Sequence, residues 1–439
     1  MNLDVLITQQ NPQWVEANYQ KPENSWFKRS YFESILSWLD KKPIIALTGI
    51  RRTGKSTLLK QVKYLLEKNN NLSNILYFSF EKSQVRFHPD VLREILDWYL
   101  QNFLKTTLAS LSQKIYIFFD EIQYIPFWQD VIKTYYDQSQ NIKFLLSGSS
   151  TLFIKSKSLE SLAGRIVEIV IPPLSFREFR SIKNILTDKP LIDLFLLQKQ
   201  LVSSYFEDYL QFGQFPELVK DNYTKEQAVI YLSSVEEKII EQDIPKLYRI
   251  ERVDILRIIF NFLKSHSGNI FEYQSITSDL GTDLKTTSKY IEYLKKCFLI
   301  NFCFNQTKKA TKSARTAKKI YLSSSNFSTF DMGLIAETYI FQMLSHHWEV
   351  KFFRLGNFEV DFVINTKAKL IPLEVKYQNK INQYDYKKLI KLAEKLNSNY
   401  AYLLTKDVMA GENIGNIRLE MVPVCLFEET VLPTLTDAE

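Results

Sequence analysis

The stretch PIIALTGIRRTGKST, residues 43–57, runs from an apolar segment through a loop bounded by two glycines into a helical pattern. Pro43 to Gly49 is a short apolar run ending at glycine, which reads as a buried strand. STLLKQVKYLLEK follows, with Leu58, Leu59, Val62, Leu65 and Leu66 at helical spacing. The loop between them fits G-x-x-x-x-G-K-[ST]. Glycines there let backbone N–H groups turn toward phosphate oxygens, Lys55 brings a cation to the β- and γ-phosphates, and the Ser56 hydroxyl suits Mg²⁺. The helix that follows points its positive end at the same anion. The expected nucleotide cradle is Gly49, Ile50, Arg51, Arg52, Thr53, Gly54, Lys55, Ser56 and Thr57, and its expected ligands are ATP and Mg²⁺.

Working outward, ILYFSF (75–80), IYIFFD (115–120), KFLLSG (143–148) and RIVEIVI (165–171) repeat the strand pattern, with helical segments between most of them. Near-continuous apolar strands alternating with helices predict an α/β fold with a parallel sheet covered on both faces. IYIFFDEIQ ends its strand in acid. Asp120 is expected to hold Mg²⁺ through water, and Glu121 to polarise the attacking water. In LLSGSS, Ser149 or Ser150 is placed to hydrogen-bond the γ-phosphate or its water, an ordinary turn being the plain alternative.

The chain has 439 residues, too many for one core. Its 45% hydrophobic and 24% charged content is ordinary for a globular protein. No apolar run approaches the roughly 18 residues of a membrane span. The start, MNLDVLITQQNPQW, lacks the basic and then apolar regions of a signal peptide. Cys297, Cys303 and Cys425 have no metal-ligand spacing and cannot all pair, so a reducing cytoplasm is expected. Four histidines argue against a His-rich zinc site. The net charge is +7, and residues 251–325 alone hold 13 Lys/Arg against 6 Asp/Glu. A surplus concentrated in this way points to a polyanion partner.

LTGIRRTGKST, FFDEIQ, LLSGSS, SLAGRIVEI, PLSFREF and YLQFGQFPE, in that order, resemble a group of prokaryotic AAA-type ATPases. Their C-terminal domain, long of unknown function, is similar to restriction-endonuclease-like nucleases. The motifs run from about residue 43 to 377. The resemblance implies a P-loop ATPase with Lys55 and Glu121 catalytic. It also implies that Arg165 of SLAGR reaches a γ-phosphate, across a subunit interface in a homo-oligomer; Arg51 and Arg52 are alternatives for that role. Gln214 stands where many relatives have a second glycine. The expected organisation is an N-terminal lead (1–24), an ATPase core (25–175), a helical lid (176–248), a winged-helix unit (249–325) and a nuclease-like α/β domain (326–439).

In the basic unit, VDILRIIFNFLKSH, a turn at Ser267-Gly268 and SITSDLGTDLKTTSKYIEYLKKCFLI give helix, turn, helix, followed by the basic loop NQTKKATKSARTAKK. Leu284, Ile291, Leu294 and Phe298 mark one apolar face of a helix started by Thr282 or Asp283. This outline suggests a winged helix whose second helix enters a major groove. Lys285 and Lys289, with Lys308, Lys309, Lys312, Arg315, Lys318 and Lys319, are the expected DNA contacts. They would give salt-dependent binding with little sequence choice. A solvated lysine loop on a packing unit is the other reading.

FEVDFVINTKAKLIPLEVKY (358–377) folds as a hairpin about Lys367-Ala368, which sets Asp361 opposite Glu374. Two carboxylates facing each other repel. On one face lie Glu359, Asp361, Glu374 and Lys376; on the other Val360, Phe362, Leu373 and Val375, the pattern of a half-buried pair. This D-x12-E-x-K arrangement resembles the PD-(D/E)xK nuclease core, in which the two acids hold Mg²⁺ and the lysine activates water. Glu337 on the preceding helix matches that family's additional acid. The whole reads as a Mg²⁺-dependent ATPase acting with DNA, carrying a metal-dependent nuclease site. The alternative is a nucleotide-gated DNA- or protein-binding regulator whose last domain does not cut.

Overall fold

Alternate residues of β1 (Ile44–Thr48) enter opposite layers. Ile44 and Ala46 join one hydrophobic cluster, and Ile45 and Leu47 another with Leu58, Leu59 and Val62 of helix Lys55–Asn69. A strand buried on both faces must be apolar at every position, which is why PIIALT carries no alternation. The computed structural model describes residues 3–16, 19, 26–81, 88–148, 162–306, 318–328, 331–366 and 369–437. It forms two units, residues 1–172 and 173–439.

In the first unit the described residues form a five-stranded sheet in the order β2-β3-β4-β1-β5. The other strands are β2 (Ile75–Ser79), β3 (Ile115–Asp120), β4 (Ile142–Ser147) and β5 (Ile166–Val170). Each pairing is parallel, so the C-terminal ends of β1, β3 and β4 emerge at one edge. Phe78, Phe118, Phe119 and Phe144 are all at most 1% exposed. Burying such a side chain contributes about 1.5–3 kcal/mol.

The described residues of the N-terminal lead pack within this unit. Ile7 of helix Leu3–Gln10 is fully buried in the first cluster. The amides after it run along the open side of β2. Asn11 Oδ1 accepts from Tyr77 N at 2.8 Å, and Asn11 Nδ2 donates to Tyr77 O at 2.8 Å. Gln10 Oε1 accepts from Ser79 N at 2.7 Å, and Gln13 Nε2 donates to Ile75 O at 3.3 Å. Side chains thus take the hydrogen bonds that a further strand would make, which removes a sticky edge.

In the second unit, Phe176–Lys183, Leu191–Phe212 and Met332–Ser345 are helices. Phe176, Phe179, Phe206 and Tyr209 share one cluster with Tyr339, Phe362 and Leu373. The segment expected as a lid on the ATPase core is therefore packed into the C-terminal domain. Gln214 is 1% exposed, and its Oε1 accepts from Ser324 Oγ at 2.7 Å and Ser325 N at 2.9 Å. Its amide carries a buried polar junction, a role glycine could not fill.

Residues 253–322 run helix Val253–Ser265, β6 (Ile270–Phe271), helix Tyr273–Leu280, helix Leu284–Lys296, β7 (Ile300–Asn305) and β8 (Lys318–Leu322). Asp283 caps the last helix, its carboxylate accepting from Thr286 N at 2.8 Å. The buried face of that helix is Thr287, Tyr290, Ile291 and Leu294, whereas Leu284, expected there, is 50% exposed.

The chain continues as β9 (Val350–Leu355), β10 (Phe358–Asn365), β11 (Leu370–Lys376), helix Gln383–Leu396, β12 (Tyr400–Thr405), β13 (Ala410–Ile414) and β14 (Ile417–Pro423). β7 pairs parallel with β9, so the described residues form one nine-stranded sheet, β13-β14-β12-β11-β10-β9-β7-β8-β6. The two units expected at 249–325 and 326–439 are joined by backbone hydrogen bonds. The β10–β11 ladder runs Phe362↔Leu373 to Asn365↔Leu370, the expected register. The expected faces differ. Between Val360 and Val363 a bulge sets Asp361 and Phe362 against the single residue Phe352 of β9. Val360 therefore packs with Val363 beneath helix Gln383–Leu396, while Phe362 packs on the other side. A bulge re-aims the side chains at it. The hairpin is covered on both faces, not half-buried.

Candidate functional site

Three carboxyl-end features of the parallel sheet converge on one carboxylate. Gly49 has φ +130°, and a Cβ there would stand 2.3 Å from Ile171 O, so only glycine fits. Arg52 at φ +70° and Gly54 at φ +95° complete the left-handed turns of the loop. Lys55 is 5% exposed, and its ammonium donates to Gly49 O at 2.9 Å and Ile50 O at 2.8 Å. Thr53 Oγ1 donates to Ile50 O at 3.0 Å. Thr57 lies in the first turn of the helix that begins at Lys55. Arg29 is 5% exposed and braces the loop, donating to Thr53 O at 2.8 Å and Pro172 O at 3.0 Å. Arg51 pairs with Glu81 at 2.9 Å.

The Ser56 hydroxyl donates to Asp120 Oδ1 at 2.8 Å. Tyr77 Oη donates to Asp120 Oδ2 at 3.2 Å, Ser79 Oγ does so at 3.4 Å, and Ser147 Oγ donates to Asp120 Oδ1. A hydroxyl and a carboxylate held together beside a phosphate loop are the oxygen donors that Mg²⁺ favours. The residues fit an ATP·Mg²⁺ complex. Glu121 adopts a left-handed backbone, φ +56°, its N–H donates to Ser147 Oγ at 3.3 Å, and Gln123 Nε2 donates to its carboxylate. Non-glycine residues in that region are strained and concentrate at functional sites. Burial raises the Glu121 carboxyl above its ordinary value, with Lys55 pulling the other way.

Ser147, Tyr77 and Arg29 were not singled out from sequence. For Ser147 a signal existed, since it is the last residue of a buried strand beside the one ending in Asp120. Ser149 and Ser150 lie outside the described residues. Arg165 is not near the loop of its own chain. Its carbonyl accepts from Ile44 N at 2.8 Å, at the start of β1, while the loop follows the end of that strand. Five residues of strand separate the two, about 16 Å. Its guanidinium makes two bonds to Asp137, at 2.8 and 3.1 Å.

Residues 41–180 match the family model described as AAA domain. Most of that match, residues 41–172, lies in the first unit. Residues 203–328 and 332–421 match two models described as domains of unknown function, DUF8612 and DUF4143. An uncharacterized protein of Haemophilus influenzae is 24% identical over 381 residues, covering 84% of this chain and 90% of that one. Two uncharacterized proteins of Methanocaldococcus jannaschii are 27% and 26% identical, covering 60% and 80% of this chain and 56% and 78% of their own. Among solved structures, a Walker-type ATPase of Pyrococcus abyssi aligns at 17% identity and TM-score 0.44, over 73% of this chain and 99% of that chain. The Orc1 protein of Aeropyrum pernix in complex with DNA aligns at 14% and 0.35, over 74% and 95%. These scores are too low to speak for function. No helix among the described residues is long and apolar enough to cross a membrane.

The structure brings Lys55, Ser56, Asp120 and Glu121 together at one end of the parallel sheet. The expected DNA contacts of the second unit divide. Lys285 and Lys289 are exposed on helix Leu284–Lys296. Lys308, Lys309, Lys312 and Arg315 lie outside the described residues. Lys318 is half-buried, its ammonium 3.0 Å from Tyr273 Oη and over the rings of Tyr273 and Phe302. Lys319 is 3% exposed and cannot meet a phosphate as placed. Part of the basic surplus is also met internally, by Arg252–Asp254, Arg257–Glu241 and Lys264–Glu236 pairs.

Lys319 instead enters the acidic pocket. Its ammonium is 3.0 Å from Glu359, 3.5 Å from Glu337 and 3.5 Å from Asp361. Asp361 Oδ2 accepts from Val375 N at 3.0 Å. Glu374 Oε2 accepts from Asp361 N at 3.0 Å, and its Oε1 from Lys376 Nζ at 2.6 Å. Tyr321 Oη donates to Glu337 at 2.6 Å. Every oxygen of Asp361 and Glu374 thus has a partner, and the two facing acids are relieved by two lysines. Among the described residues no group of three or more His, Cys, Asp or Glu stands ready to hold a metal ion. A Mg²⁺ ion at Asp361 and Glu374, as expected, would have to take oxygens that Lys319 and Lys376 already engage. Burial, then Asp361, push Glu337 up to about 7 and Glu374 up to about 8. Burial pulls the Lys319 ammonium down, but Glu337, Asp361 and Glu359 outweigh it and hold it above the ordinary lysine range.

Proposed function

We propose that this chain binds and hydrolyses ATP with Mg²⁺ in its AAA domain and acts on DNA held by residues 249–325. One observation carries the catalytic part: the Ser56 hydroxyl rests on the Asp120 carboxylate, with Glu121 next in sequence. Lys55 and the loop amides bind the triphosphate, and Ser56 and Asp120 hold the metal. When bound, Mg²⁺ offsets charge on the phosphate oxygens. Glu121, made more basic by burial, orients and polarises the attacking water. Arg165, too far from its own loop, serves a neighbouring copy in a homo-oligomer. Lys55→Ala is expected to lose nucleotide and turnover together, whereas Glu121→Gln keeps nucleotide and loses turnover. Unchanged turnover in both variants removes the proposal.

For DNA, the helix–β6–helix–helix–β7–β8 order supports a winged-helix unit, with Lys285 and Lys289 on the helix that would enter the groove. For the last domain, helix Met332–Ser345, β9, β10, β11, helix Gln383–Leu396 and β12 follow the helix-strand-strand-strand-helix-strand order of a restriction-endonuclease-like fold. Asp361, Glu374 and Lys376 stand at its hairpin. Metal-dependent nicking of plasmid that is lost in Asp361→Ala and Glu374→Ala tests cutting. The second reading, a regulator whose last domain does not cut, is favoured by the partnered state of those acids. Three buried free cysteines accord with a cytoplasmic protein.

A further inference from the structure

We infer that Lys319 is the resident cation of the acidic pocket and closes it to divalent metal. The inference rests on the nuclease-like reading of that pocket. Lys319 reaches the acids from another part of the fold. Its strand β8 lies between β6 and β7, and Lys319 is paired with Ile270 on one side and Cys303 on the other. The backbone is thereby fixed, and the side chain crosses to Glu337 on a helix and to Glu359 and Asp361 on β10. A nuclease of this fold would place a metal against the same carboxylates.

Lys319 competes with a metal ion for the same carboxylates. An ammonium and a metal ion a few ångströms apart repel strongly where water is excluded. Nor does Lys319 leave without consequence, because withdrawing it leaves the acids around it without their buried cation. Lys376 differs. Its side chain is one-third exposed and its ammonium touches Glu374, so it can swing to water while Lys319 stays. At the bulge the Asp361 carboxylate is shared between neighbours, its Oδ2 accepting from Val375 N of β11 at 3.0 Å and its Oδ1 standing 3.5 Å from Lys319 of β8. The acids are thus met from within by a cation that D-x12-E-x-K does not include.

The test uses the full chain without nucleotide, with Mn²⁺ as the probe, read by electron paramagnetic resonance and thermal unfolding. Wild type is expected to bind no Mn²⁺ in the pocket and to unfold at the same temperature with or without it. Lys319→Met, which keeps the length of the side chain, gains one Mn²⁺ site and an Mn²⁺-dependent rise in unfolding temperature. Both are lost again in Lys319→Met/Asp361→Asn. Amine acylation of wild type followed by mass spectrometry gives a second readout that needs no variant: Lys319 stays unlabelled while Lys285 and Lys289 react. The inference is overturned if wild type binds Mn²⁺ that Asp361→Asn removes, if folded Lys319→Met binds none, or if Lys319 is acylated as fast as Lys285. Nicking separates the two ideas. Mn²⁺-loaded Lys319→Met that leaves DNA intact upholds Lys319 as the resident cation and ends the nuclease reading. Metal-dependent nicking by wild type does the reverse.

Discussion

Four hydroxyl groups, from Ser56, Tyr77, Ser79 and Ser147, point at the Asp120 carboxylate. Such partners fix the orientation of a metal-site ligand, and losing one commonly costs 10–100-fold in activity. Ser147→Ala is therefore expected to lower ATP turnover by roughly 10–100-fold while leaving nucleotide affinity nearly unchanged, as equilibrium titration beside a phosphate-release assay would show. In the second unit the acids predict a pH dependence. Glu337 and Glu374 take up protons near 7 and 8 in the fold, against 4.5 for an ordinary glutamate. Their contribution to stability is complete below about 4.5, and it is lost as the pH rises through 7 and 8. Thermal unfolding followed from pH 5 to 9 is expected to show falling stability of this unit, a slope that Glu337→Gln and Glu374→Gln each flatten. At this scale the phosphate loop was legible because its residues are contiguous. Lys319 was not, since charge counting treats every lysine as solvent-facing and its partners lie 18 to 42 positions away in sequence.

Strands were the most readable elements. All five of the first sheet appear where apolar runs placed them. In β1 to β4 burial on both faces leaves almost no polar position to blur the signal, whereas the edge strand β5 keeps Glu168 exposed. The bulge in β10 was not readable, since an extra residue changes no composition yet puts Val360 and Phe362 on opposite faces. Nor was the packing of the 176–248 helices, whose amphipathic pattern says that a partner exists but not which one. Asn11→Ala leaves the N–H and C=O of Tyr77 unpaired, at about 1–3 kcal/mol for each buried group. Urea unfolding should register a loss of about 2–6 kcal/mol in the first unit. On helix Leu284–Lys296, Lys285→Ala and Lys289→Ala are expected to weaken duplex DNA binding alike for all sequences. Each should reduce the slope of log K against log salt by about 0.9, as a lost phosphate contact does.

For the molecule as a whole, two units with separate cores predict two calorimetric transitions. A non-hydrolysable ATP analogue at about 100 times its Kd adds about 2.7 kcal/mol to the unit that binds it. For a unit of this size that moves one transition up by roughly 5–10 °C and leaves the other in place. Lys55→Ala should abolish the shift. The distance between Arg165 and its own loop predicts complementation between copies: inactive Lys55→Ala and inactive Arg165→Ala proteins, mixed, should recover part of the turnover that neither has alone. Equal inactivity before and after mixing would leave Arg165 with its Asp137 pair as a purely structural residue.

The amides of Gln10, Asn11 and Gln13 also bear on how this protein is handled. The matched AAA region begins at residue 41, and a polypeptide trimmed to start at residue 26 would keep Arg29 and every catalytic group yet lose the residues lying along β2. Its bare flank would offer donors and acceptors at every second residue to the next molecule in solution. Such a truncated protein should precipitate on concentration, which a light-scattering comparison with the intact chain would reveal before any loss of activity is blamed on the phosphate loop.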